Sequence, residues 1–159
     1  MAMLTNSIAL AALAALAAAV VYGTDVFAAL VLRPAFAALD DGMLTQAAGR
    51  IHQYADQRMP IPGAISILAA VASTICAGIA GQPLQAGLTG GALVALLVWL
   101  ALYIRVAAPI NRELTKAAVA HEVPTHARAM QRRWDSIIDL RVALQTAALA
   151  LLVSAVAVT

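Results

Sequence analysis

The sequence predicts an all-α fold: an integral membrane four-helix bundle with short interfacial helices in the first and third connections. Three observations predict it. Hydrophobic residues make up 63% of the 159 residues and charged residues 11%, with mean hydropathy +0.87. A soluble domain holds about 45–50% apolar and about 25% charged residues. Long charge-free runs recur, each able to cross a hydrocarbon core of ~30 Å at ~1.5 Å per residue. All ten Lys and Arg residues fall in or beside two of the connections. The length suits one domain, so 1–159 reads as a single unit with spans about 4–32, 61–80, 88–107 and 134–158.

The first run, residues 4–32, has no charge before Asp25. A cleaved signal peptide would place basic residues before an apolar stretch of about 7–15. No Lys or Arg precedes Arg33 and the run is longer, so a retained helix is expected. Its alanines, Ala9 to Ala19, allow close helix approach. Pro34 is expected to end this helix near the interface. Phe36, Leu39, Met43, Ala47, Ile51 and Tyr54 then recur at helical spacing, opposite Asp40, Arg50 and Gln53. That pattern reads as one or two helices in the headgroup region, Asp41-Gly42 being the break if there are two.

Residues 59–104 carry no charge. As one helix they would exceed twice the core thickness, so they form two spans. The break is expected at residues 80–87, where Gly, Pro and Gln permit a tight turn. Pro60 and Pro62 suit a first helical turn. Trp99 and Tyr103 approach Arg105 as interfacial aromatics do. After Pro109, the spacing of Ile110, Leu114, Ala117 and His121 predicts a short interfacial helix that Pro124 stops. Thr125 can cap a last helix from His126 to the end, uncharged after Arg141.

The basic residues also orient the chain. The short middle turn and both termini have none, so both termini are expected outside and the first and third connections cytoplasmic, in a bacterial inner membrane. The acids and histidines share the cytoplasmic half, so acid–base chemistry belongs there. A nucleic-acid role is excluded: aromatics are 4% and no basic stripe is interleaved with them. The single Cys76 gives no disulfide framework or thiolate metal site. The spacing of His121 and His126 matches no zinc pattern, and no phosphate loop or nucleophile elbow is present. No metal is expected.

Asp25 lies about two turns inside the first span. A charge buried there costs ~2.5–3.5 kcal/mol on insertion scales, so it wants a partner. Arg141 is equally deep in the fourth span, and an Asp25–Arg141 pair is expected. Asp135 and Asp139 are one turn apart, with Arg128 and Arg132 placed for same-face pairing. Asn111, two residues after Pro109, can cap the next helix or orient a ligand carbonyl. His52 could act as a base near neutral pH.

The run Pro109-Ile110-Asn111-Arg112-Glu113-Leu114 then joins three other signatures: Gly23, Phe27 and Pro34 along the first span, Trp134-Asp135 opening the fourth helix, and Arg141 seven residues after the Trp. In that order the chain resembles the anthrone-oxygenase-like family of small four-span membrane proteins, most of whose bacterial members carry only a domain of unknown function. The resemblance implies a four-helix bundle. It also implies a monooxygenase that converts an anthrone to an anthraquinone with O2, the matched positions being Pro109, Asn111, Trp134 and Arg141. An anthrone has an acidic methylene whose anion can reduce O2 without a cofactor, so none is expected. The expected base is Asp25, Asp139 or His52. Arg141 and Asn111 would hold the oxyanion, and Trp134 would stack on a substrate entering from the bilayer, with Arg105 and Tyr22 as further substrate contacts. The alternative is a non-enzymatic module that binds a hydrophobic molecule or a partner helix. Transport would need two copies, and homo-oligomerisation stays open.

Overall fold

The computed structural model describes residues 2–158. Met1 and Thr159, the two ends of the expected topology, lie outside the described residues. Every element is helical: α1 (Ala2–Phe27), a π turn (Ala28–Leu32), α2 (Arg33–Ala37), α3 (Asp41–Arg58), α4 (Pro60–Ile79), α5 (Pro83–Leu102), a second π turn (Tyr103–Ala107), α6 (Ala108–Ala120) and α7 (Ala127–Ala157). Four continuous helical stretches are long and apolar enough to cross a membrane: Met3–Ala37, Pro60–Ile79, Pro83–Ala120 and Ala127–Ala157. Their outward positions carry large bare side chains such as Leu16 and Leu30, 71% and 70% exposed. Water would penalise that surface and lipid does not. The protein is an all-α integral membrane protein.

Two prolines behave differently from expectation. Pro34 does not end its helix. A proline lacks an N–H and its ring collides with the carbonyl four residues back. The chain meets this by widening one turn: Arg33 N–H bonds to the Ala28 carbonyl, five residues back, and the helix continues to Ala37. The same device precedes Pro109, where Ala108 N–H bonds to the Tyr103 carbonyl. The third connection is therefore no separate interfacial helix at its start, because α5 runs on through the π turn into α6.

The remaining boundaries follow local chemistry. Asp40 caps α3 by accepting from Met43 N–H at 2.8 Å, so Asp41-Gly42 lies in the first turn of one helix and breaks nothing. The middle turn is shorter than the expected 80–87, since α5 already begins at Pro83. It turns on Gly81 at φ +69°, with Gln82 N–H returning to the Ala77 carbonyl. The helix α6 stops before Pro124 is reached. His121 takes the left-handed conformation at φ 57°, and Glu122 N–H returns to the Ala117 carbonyl.

The chain forms two compact units. One comprises the chain up to Gly23, Ile61–Trp99 and the chain from Ala143. Its core is small: Ala14, Ala18, Ala70, Ala92 and Ala148 are fully buried beside Leu96 and Leu152. Neutral polar contacts join its helices. Ser73 Oγ donates to the Ser7 carbonyl at 2.7 Å, Ser7 Oγ is 2.9 Å from the Gln85 amide, and the Thr74 and Thr89 hydroxyls are 2.9 Å apart. The other unit comprises Thr24–Pro60 and Leu100–Val142. Its core uses Phe36, Leu44, Ile110, Leu114, Met130, Trp134 and Ile138. Here α3 packs on α6 at Gly49, where a Cβ would overlap the Leu114 carbonyl and the Ala118 methyl. The Thr115 hydroxyl bonds the Gly49 carbonyl at 3.1 Å.

Candidate functional site

All of the charged side chains and all three histidines fall in the second unit. At its centre Asp25 and Arg141 form a buried ion pair, Nη2 to Oδ1 2.7 Å. This is the pair that their matching depths predict. The guanidinium carbon of Arg141 lies 5.9 Å from the Tyr103 ring centroid and 5.6 Å from that of Trp134, within cation–π range of both.

From Trp134 the contacts continue. Its indole N–H donates to Asn111 Oδ1 at 3.0 Å, and Asn111 Nδ2 donates to Asp56 Oδ1 at 2.9 Å. The orientation of that amide is chemically determined, because an indole N–H only donates and a carboxylate only accepts. Tyr103 Oη donates to the same Asp56 oxygen at 2.9 Å. Asn111 therefore caps nothing. The helix passes through it unbroken, so there is no open N-terminus for its side chain to serve, and the amide bridges α3 and α7 instead.

His52, on α3 one turn before Asp56, completes the cluster. Its ring centroid is 5.6 Å from that of Trp134. It is buried, and Nε2 has no hydrogen-bond partner. Burial pushes its pKa down to about 4. Arg141 lowers it further, and Asp56 opposes both. The imidazole is neutral at pH 7. With the proton on Nδ1, Nε2 offers a lone pair inside an aromatic, water-poor setting.

Other residues singled out by sequence fall elsewhere. Asp139 is exposed and takes Arg33 at 3.0 Å, so it adds no base to the cluster. Asp135 accepts from Gln131 at 2.9 Å. Neither pairs with Arg128, which donates to the Phe36 and Leu39 carbonyls and pairs with Asp41 at 2.8 Å, clamping the α2–α3 connection. Arg105 is exposed, and Tyr22 is half-buried in the first unit. His126 meets Glu113 at 2.6 Å on the surface. Asp56 and Tyr103 are the members that sequence reasoning missed as site residues. The available signal was the four-residue step from His52 to Asp56, which puts both on one helical face. Among the described residues no three His, Cys, Asp or Glu side chains gather to hold a metal ion.

Chemically, the cluster offers a neutral acceptor, a buried cation and aromatic surfaces. Asp25 Oδ1 is engaged by Arg141 at 2.7 Å, whereas His52 Nε2 is open. Comparison with protein-family models, curated proteins and solved structures gives no match.

Proposed function

We propose that the protein is a membrane-embedded, cofactor-independent oxygenase acting on an anthrone-type aromatic with O2, its chemistry carried by the His52–Trp134–Arg141 cluster. The observation that carries the reading is the buried, neutral His52 with an unpartnered Nε2 beside a guanidinium and an indole. His52 takes a proton from the acidic methylene. Arg141 stabilises the resulting oxyanion, where a fixed cation in a dry site acts most strongly. Asn111 and Asp56 hold Trp134 and Tyr103 in place, and Trp134 stacks on the ring. The anion gives one electron to O2. The two radicals combine at the former methylene carbon, the peroxide anion takes the proton back from His52, and the hydroperoxide loses water to leave a carbonyl. Substrate and O2 thus yield the quinone and one water. The substrate enters from the bilayer, and the basic connections face the cytoplasm of a bacterial inner membrane, following the positive-inside rule.

The test is O2 uptake by detergent-purified protein given an anthrone. Wild type consumes O2, His52→Ala loses about 10²–10⁴-fold in kcat, and Arg141→Ala abolishes turnover. Normal turnover in both variants, or no uptake with a panel of hydroxylated aromatics, overturns the reading. One observation favours the alternative of a non-enzymatic module for a hydrophobic ligand: the polar groups of Asn111, Asp56 and Trp134 already satisfy one another. That reading expects no substrate consumption and tolerance of Asp25→Asn.

A further inference from the structure

The surface charges of the second unit do not balance. Arg33, Arg128 and Arg141 each hold an aspartate, and His126 holds Glu113. Asp40 is occupied as a helix cap, Asp56 by Tyr103 and Asn111, and Asp135 by Gln131. Glu122 is the remaining acid. Of the cations not held by an acid, Arg50 donates to Gln53 and the Ala118 carbonyl and Arg58 lies over the Tyr54 ring, which leaves Arg105, Arg112, Lys116, Arg132 and Arg133, all exposed and without an acidic partner among the described residues.

Three of these five share one helix. Arg105, Pro109, Arg112, Lys116 and Val119 are exposed in succession at steps of four, three, four and three along the continuous stretch Pro83–Ala120, which is the pattern of one outward face. Arg112 and Lys116 are one turn apart, so their cationic heads can converge on one anion. Bare apolar side chains flank them: Ile104 is 57% exposed and Val119 51%. A soluble polyanion has no use for such neighbours, whereas acyl chains do. The face lies on a helix that crosses the membrane.

We propose that Arg112 and Lys116, with Arg105 two turns earlier, bind the phosphate of an anionic glycerophospholipid, whose chains lie along Ile104. Each cation near such a headgroup contributes about fivefold in affinity. The site is separate from the His52 cluster and does not depend on the activity proposed for it.

The test uses the full chain in detergent micelles doped with phosphatidylglycerol or phosphatidylcholine, the bound lipid being counted by native mass spectrometry. Wild type retains phosphatidylglycerol in preference to phosphatidylcholine. Arg112→Gln with Lys116→Gln weakens that retention roughly twenty-five-fold. Arg132→Gln with Arg133→Gln removes the same charge from adjacent residues, which point about 100° apart around a helix, and leaves retention within about threefold of wild type. Equal retention of the two lipids by wild type, or equal loss in the two double variants, overturns the site.

Discussion

The two units share buried alanines but differ in what else they bury: neutral polar contacts in the first, large side chains and an ion pair in the second. The first contains no Lys, Arg, Asp, Glu or His. It packs alanines to zero exposure and joins its helices through serine, threonine and glutamine. Such neutral bonds contribute about 0.6 kcal/mol each in a membrane protein. The second unit holds every charge, fills its core with Leu, Ile, Phe and Trp, and buries an ion pair. Close approach of small residues stabilises a membrane bundle without ionised groups. A buried charge pair is therefore an addition that adhesion does not require, and the difference directs attention to the second unit for chemistry.

The largest expected effect tests that difference directly. Arg141→Met leaves Asp25 buried without its cation and lowers stability by about 3–5 kcal/mol, read from reversible unfolding in mixed micelles. The double variant Asp25→Leu with Arg141→Met recovers most of that loss, because an apolar pair of similar volume carries no desolvation penalty. Turnover stays absent in the double variant. A single variant as stable as wild type would show the pair to be hydrated, and the contrast with the first unit would fail.

The next effect appears only in acid. His52 titrates near 4 when folded and near 6.5 when unfolded, so the unfolded chain binds the proton first. Its contribution is complete above about pH 6.5 and declines as pH falls toward 4, by on the order of 3 kcal/mol. His52→Asn should flatten that part of the stability–pH curve. Gln85→Leu, in the unit that has no acid and no histidine, should shift the curve without changing its slope in this acid range. An unchanged slope in His52→Asn would mean that water reaches the imidazole.

The spans and the Asp25–Arg141 pair were legible because hydropathy and depth are counted along one helix. The prolines were half legible. The missing N–H was foreseen at Pro34, but the π turn that absorbs it was not, since it depends on the turn before the proline as well as on the proline. Asp56 was only half legible, for a different reason: its four-residue step from His52 gave the face but not the partner. On α3 alone it belongs to a polar face, and only the packing of α3 against α6 brings it to Asn111. Asp139 fails in the reverse direction: it was an expected base, but it lies on the exposed side of the last helix and is held by Arg33.

That α3–α6 packing supplies a third, smaller effect. Gly49→Ala places a methyl against the Leu114 backbone, which cannot move aside as a side chain would. A loss of about 1–3 kcal/mol is expected. Gly87→Ala in the first unit, where a Cβ meets nothing within 4 Å, should be neutral or slightly stabilising. Equal unfolding midpoints for the two variants would mean that α3 can part from α6 at little cost.

The smallest effect comes from one backbone motif that occurs in both units. In the first, α4 ends with Gly81 left-handed and Gln82 N–H bonded back to Ala77. In the second, α6 ends with His121 left-handed and Glu122 N–H bonded back to Ala117. Glycine adopts that conformation freely, whereas a side chain strains it. His121→Gly should therefore stabilise the second unit by about 0.5–1 kcal/mol, with part of the relief offset by the larger backbone entropy of the unfolded chain. His121 is exposed and lies outside the His52 cluster, so O2 uptake should not change. A loss of stability on this substitution would mean that the His121 side chain has a binding partner, and the strained cap would then be a functional feature of the charged unit.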